Sequence, residues 1–206
     1  MSAKEIESIP RSVLVLASAS PRRQELLRNA GIPFTVQPAD VDETPMAGES
    51  PRDCAERLAR AKALAVWSVR SQDTVLGADT IVVIDDVILG KPRDAEDAVR
   101  MLRLLAGRTH RVITGVCVIG AVVSGQGSVA SEAATKWASE TTLVTMSALS
   151  EGEIREYVAT GEPMDKAGAY AIQGMASRWI PRIEGDYSNV VGLPVALVYA
   201  MLRRRS

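Results

Sequence analysis

Aromatic residues are scarce in this chain of 206 residues: three Trp, four Tyr and one Phe, or 4% of the whole. That is too few for a platform on which successive bases of a single strand could stack. Neither sign of charge is in excess, since 24 Lys plus Arg face 25 Asp plus Glu for a formal charge of -1. A nucleic acid or an anionic membrane is therefore not expected as the main partner, while a local basic pocket is compatible with the balance. The single histidine, His110, excludes a His-rich zinc site and is the one residue any Ser-His-Asp triad could use. It stands between Thr109 and Arg111 at an expected helix-to-strand turn and is read as structural. Cys54 and Cys117 lie far apart in apolar surroundings and are read as reduced core residues, in keeping with a cytoplasmic enzyme. The most apolar stretch, residues 114–123, is broken by Gly115 and Gly120 and falls well short of the ~18 residues of a membrane helix. Residues 1–11 carry Glu5 and Glu7 without an apolar segment and are read as an N-terminal extension, not a signal peptide. No Walker loop and no nucleophile elbow occurs.

With 47% hydrophobic residues, the chain suits one globular domain or two small lobes sharing a core. Residues 13–17 form a continuous apolar run, typical of a strand buried on both faces. Ser20 then caps a helix with Pro21 at its first position, running to Gly31. A long helix is expected over residues 51–70, and a strand region over 75–86 that Asp79-Thr80 interrupts. Asp94 caps a helix that Gly107 closes, with Ala98, Val99, Leu102 and Leu105 at helical spacing. Strands are expected at residues 111–119 and 141–146, joined by a Gly/Ser/Ala-rich connection over 120–136. Ser150 and Glu153 form a capping-box pattern for a helix ending near Gly161, and Pro194 begins the last helix. Alternating strands and helices predict an α/β architecture around a mixed sheet.

The strongest local signal is Ser18-Ala-Ser-Pro-Arg-Arg23, between a buried strand and a helix. Free backbone N–H groups, a helix dipole, two hydroxyls and the guanidiniums of Arg22 and Arg23 together suit a polyphosphate. Asp79 is a carboxylate inside an apolar strand, where a functional role outweighs a turn-forming one. Asp85 and Asp86, at the strand end, are read as a turn pair. Lys62 falls on an apolar helical stripe with Leu58 and Val66, so it either snorkels to solvent or reaches an anionic pocket. Lys91 sits on the Gly90-Lys91-Pro92 turn after a hydrophobic strand, as an ordinary turn lysine or facing the same pocket. Glu43 ends the run Asp40-Val-Asp-Glu43, which is either a solvated acidic loop or a source of hard oxygen ligands for magnesium or manganese. Cations for phosphates, carboxylates for metal and water, and no covalent nucleophile are what metal-assisted phosphoanhydride hydrolysis requires.

From about Val13 to Leu202 the chain resembles the Maf family of nucleoside triphosphate pyrophosphatases. Six ordered segments carry the resemblance: Leu16-Ala-Ser-Ala-Ser-Pro-Arg-Arg23, Gly77-Ala-Asp-Thr80, Leu89-Gly-Lys-Pro92, Thr114-Gly-Val116, Asp165-Lys-Ala-Gly-Ala-Tyr-Ala-Ile-Gln-Gly174 and Asn189-Val-Val-Gly-Leu-Pro194. The resemblance implies an elongated, two-lobed mixed-sheet α/β fold with a central cleft, similar to inosine triphosphate pyrophosphatases, over residues 12–206, and a homodimer. It implies a divalent cation, magnesium or manganese, as cofactor. It also implies Asp79 as general base, Ser18, Arg22, Arg23, Lys62 and Lys91 as triphosphate ligands, and Glu43 with Asp79 at the metal. The Ala-Tyr-Ala-Ile-Gln-Gly segment is similar to the subfamily acting on dTTP and UTP, where positions matching Arg22, Thr80 and Gln173 set base choice. The alternatives are the sister subfamily preferring 7-methyl-GTP and a nucleotide-binding regulator of cell division. Residues 120–136 look longer than in the family, and residues 1–11 look like an addition to it.

Overall fold

Residues 13–120 and 134–203 are described by a computed structural model; the expected N-terminal extension and most of the expected 120–136 connection lie outside them. The strands are β1 (Leu14–Leu16), β2 (Thr35–Val36), β3 (Thr74–Ile84), β4 (Val87–Leu89), β5 (Thr109–Gly120), β6 (Ala134–Thr145) and β7 (Arg182–Glu184). The helices are α1 (Pro21–Asn29), α2 (Pro51–Trp67), α3 (Ala95–Leu105), α4 (Glu151–Ala159), α5 (Tyr187–Val191) and α6 (Val195–Leu202). The strands form one mixed seven-stranded sheet in the order β2-β1-β3-β5-β6-β7, with β4 also on β3. The α/β architecture is as expected.

Local chemistry sets the helix starts. The side chains of Ser20, Ser50, Asp94 and Ser150 each accept the backbone N–H three residues on, and Ser150 with Glu153 completes a reciprocal capping box. Asp85 and Asp86, at φ 47° and 61°, form the turn between β3 and β4.

Two strand expectations need correction. Asp79-Thr80 does not interrupt β3, because its backbone pairing with β5 continues through Asp79↔Gly115 and Thr80↔Thr114. β6 begins at Ala134, earlier than the expected 141, and pairs with β5 along its whole length. Its first half is largely exposed, so it lacks the apolar alternation by which a half-buried strand is recognised.

One edge of β3 creates the cleft. β1 pairs in parallel with it from Thr74 to Leu76, and β4 pairs antiparallel with it from Val82 to Ile84. Between them residues 77–81 have no strand partner on that edge among the described residues. The core divides at the same level on both faces of the sheet. On one face Leu76 and Ala78 join Leu27 and Val198, while Val82 and Ile84 join Leu102 and Tyr157. On the other, Val75 packs with Ala59, Ala63 and Val66, and Ile81 and Val83 pack with Ala55 and Ile113. Asp79 and Thr80 occupy the step between these clusters.

Helix α2 lies unusually close to the sheet. A Cβ on Gly77 would stand 2.2 Å from the Ala59 carbonyl oxygen, and one on Gly115 would stand 2.3 Å from that of Ala55. Both glycines are therefore needed where backbone meets backbone. That approach carries Lys62, one turn beyond Leu58 on the buried stripe, to the polar step.

Candidate active site

A cleft of about 690 Å³ runs along the gap in β3 and is lined by every residue that the resemblance implies for the site: Ser18, Arg22, Arg23, Glu43, Lys62, Asp79, Thr80, Lys91 and Gln173. These residues come from six separate chain segments.

Lys62 lies at the centre. It is buried, and its Nζ lies 2.6 Å from Asp79 Oδ1 and 2.5 Å from Glu43 Oε1. The stripe position thus reaches an anionic pocket and does not snorkel. Lys91 approaches the same carboxylate from the other wall, 3.5 Å from Glu43 Oε2, with most of its side chain exposed. Burial alone would raise the Glu43 carboxyl, but the hydrogen bond and charge of Lys62, helped by Lys91, hold it below its ordinary value. Two carboxylates from a loop and a strand therefore converge on one ammonium.

The loop bearing Glu43 is fixed from α2 by Arg57, which the sequence reading did not select. Arg57 donates to both Glu49 carboxylate oxygens at 2.6 and 2.8 Å and to the Thr44 carbonyl at 3.1 Å. The same hydrogen bond lowers the Glu49 carboxyl to about 2. Cys54 also lines the cleft, and burial and the nearby Glu49 charge push its thiol up to about 11, against thiolate formation. Both cysteines are free and buried, as expected.

Ser18 Oγ accepts from the Ser20 N–H at 3.2 Å and from Arg23 Nη1 at 3.1 Å. Arg23 is buried, and it also donates through Nε to the Gly192 carbonyl at 2.8 Å and through Nη2 to Thr80 Oγ1 at 3.1 Å. Burial lowers its pKa, and the nearby Asp79 charge opposes that shift. Arg23 thus braces Ser18 and Thr80 and presents its charge from the floor of the cleft. Arg22 is more open and reaches across to Asp165 Oδ2 at 3.2 Å.

Thr80 continues the brace inward. Its hydroxyl lies 2.9 Å from that of Thr114, which donates to the Asn189 carbonyl at 3.2 Å. Asn189 Nδ2 in turn donates to the Val112 carbonyl and Thr142 Oγ1, each at 3.0 Å. Thr114 and Asn189 lie within family-like segments, yet nothing local marks them as parts of one network. The opposite wall is tied to the Lys91 turn, since Gly168 N–H donates to the Gly90 carbonyl at 3.1 Å. Gln173 sits on that wall, exposed, and its amide makes no hydrogen bond among the described residues.

His110 is buried outside the cleft lining, with Nε2 2.8 Å from the Tyr170 hydroxyl. No described helix is long and apolar enough to cross a membrane.

A family model described as Maf-like protein matches residues 13–205 of this chain. A relative from Koribacter versatilis (strain Ellin345), named dTTP/UTP pyrophosphatase, is 56% identical over 191 residues, covering 93% of each chain. Relatives of the same name from Symbiobacterium thermophilum (strain DSM 24528 / JCM 14929 / IAM 14863 / T) and Geobacter sp. (strain M21) are 53% and 50% identical, covering 92% and 93% of this chain and 92% and 95% of their own. The match runs through both walls of the cleft and the strand between them. The chain belongs to the Maf-like protein family.

Proposed function

We propose that this protein hydrolyses dTTP and UTP to the nucleoside monophosphate and pyrophosphate. One observation carries the reading: a buried carboxylate, Asp79, stands in the open gap of a strand with a second carboxylate, Glu43, on the same ammonium, facing a cationic wall. The names of the relatives support the choice of substrate.

In this reading the triphosphate lies along Ser18, Arg22, Lys62 and Lys91. Arg23 adds its charge from the floor. Lys62 exchanges its two carboxylates for phosphate oxygens, which frees Asp79. A water then attacks the α-phosphorus in line; its proton passes to Asp79, a new P–O bond forms, and the bond to the bridging oxygen breaks as pyrophosphate leaves. Positioning and charge neutralisation carry most of the acceleration, since phosphoryl transfer asks for little covalent chemistry.

The donor set suits a divalent cation. Two carboxylate oxygens converging on one positive centre are what magnesium or manganese takes from protein when substrate phosphates complete its shell. Glu43 and Asp79 would hold such an ion, which when bound supplies further neutralisation of the triphosphate. The protein is proposed to act in the cytoplasm, in keeping with its two free thiols, and as a homodimer, which light scattering would test.

Gln173 is proposed to read the base. Its amide offers an acceptor and donors together, matching the N3–H and a carbonyl of uracil or thymine, whereas cytosine presents an acceptor at N3. Once a bound base covers the amide, a mismatched pair leaves a desolvated group unpaired, at a cost of about 1–3 kcal/mol. The test is pyrophosphate release from dTTP, UTP, CTP and 7-methyl-GTP with magnesium and then manganese. Fast turnover of dTTP and UTP with slow CTP is expected, and Gln173→Ala should reduce the UTP preference about tenfold. Binding of triphosphate without consumption would instead identify a regulator.

A further inference from the structure

The turn that presents Gln173 is held from behind. Gly174 N–H donates to the Ala171 carbonyl at 3.1 Å, and Ala171, Ile172 and Gln173 line the cleft. Both flanks of the turn end on one pair of side chains outside the cleft lining. Tyr157 Oη accepts the Ala171 N–H at 3.1 Å and donates to Glu162 Oε1 at 2.7 Å. The Glu162 carboxylate accepts the Met175 N–H at 3.1 and 3.2 Å from its two oxygens. One phenol and one carboxylate therefore close a ring across the base of residues 171–175.

The pair is itself immobilised. Tyr157 is fully buried and meets Trp179 edge-on at 5.4 Å between ring centroids. Burial and the Glu162 hydrogen bond push its phenol well up, so it keeps its proton and remains a donor. Glu162 is held through its own backbone, with its N–H on Thr160 Oγ1 at 3.2 Å and its carbonyl taking Lys166 Nζ at 3.0 Å. Gly174 leaves room for the carboxylate, because a Cβ there would lie 2.3 Å from Glu162 Oε1. Apolar packing would suffice to bury a loop; a carboxylate on one flank, linked through a phenol to the other, fixes where its apex points.

We propose that Tyr157 and Glu162 are positioning residues for base choice, setting the turn so that the amide of Gln173 meets the pyrimidine edge. The inference rests on the reading of Gln173 given above. Tyr157→Phe keeps the ring on Trp179 but leaves the Ala171 N–H without its acceptor. The UTP over CTP ratio of kcat/KM should fall about tenfold, through a higher KM for UTP, with kcat within about threefold of wild type. Inhibition by tripolyphosphate, which has no base, should be unchanged and reports an intact phosphate site. Glu162→Gln, which keeps an acceptor for Tyr157, should lose about threefold, and Glu162→Ala at least as much as Tyr157→Phe. Calorimetric Kd values for UTP and CTP give the same ratio if turnover is absent.

An unchanged ratio in Tyr157→Phe and Glu162→Ala, with wild-type tripolyphosphate inhibition, overturns the proposal. So does an equal loss for UTP, CTP and tripolyphosphate. Gln173→Ala beside them separates the two ideas. If it keeps the UTP preference while Tyr157→Phe loses it, Gln173 is not the reader and the clamp acts through another residue of the turn. The reverse result removes the clamp and leaves Gln173.

Discussion

Asp79 and Thr80 are neighbours in one strand, and alternation sends them to opposite faces of the sheet. On the α2 face Asp79 meets a lysine shared with a second carboxylate on a loop. On the other face Thr80 meets Arg23, Thr114 and the Gly192 carbonyl, a set of short contacts running inward to Asn189. His110 lies further along that second face, four residues before Thr114 in β5. The first face holds charges that a ligand can rearrange. The second holds neutral groups and one buried arginine already in hydrogen bonds. In the proposed function, chemistry and position are thus divided between two adjacent residues.

The sharpest way to break this division is to exchange the expected roles. Asp79→Asn keeps shape and hydrogen bonding but removes proton acceptance, so pyrophosphate release should fall about 10²-fold or more with UTP binding retained. Thr80→Val should do the opposite: a thermal unfolding midpoint lowered by the equivalent of about 1–3 kcal/mol, because Arg23 and Thr114 each lose a buried partner, with a smaller loss of rate. Near wild-type turnover by Asp79→Asn, or a 10²-fold loss in a stably folded Thr80→Val, would reverse the assignment.

The second face should also carry a pH signature. Burial lowers the His110 pKa from 6.5 to about 4. Between those values the unfolded chain binds a proton that the folded chain refuses, so the stability is present above pH 6.5 and is lost as pH falls toward 4. Denaturant unfolding should lose about 1.5 kcal/mol between pH 6.5 and 5 from this residue. His110→Phe should flatten the slope over that interval; an unaltered slope would assign it to other groups.

The smallest expected effect sharpens the first face. Lys91 reaches Glu43 from the far wall and is proposed to hold the phosphates that leave. Lys91→Ala should weaken UTP about tenfold in calorimetry and UMP much less, because the product lacks those phosphates. Equal losses for the two nucleotides would move Lys91 away from the leaving group.

Much of the fold was legible because its signals are local. Caps such as Ser20 and Ser150 act on an N–H three residues away, and the run at β1 and the stripe on α2 are periodic within one element. Asp79 was legible for the same reason, as a charge among apolar neighbours in a strand. The start of β6 was not, because its exposed side chains carry no pattern and its pairing with β5 is what makes it a strand.

By itself the sequence determined where helices begin and which side chains have the chemistry a triphosphate site would need, since both depend on residue type and near neighbours. Tertiary structure alone decided what each charge faces. Arg23 meets a carbonyl 169 residues away, and Lys62 meets Asp79 because two glycines let a helix approach a sheet. Whether a lysine snorkels, holds a phosphate or bridges two carboxylates depends on the positions of groups brought together from distant segments. Coulomb and hydrogen-bond energies act over a few ångströms in space, and no spacing along the chain encodes that distance.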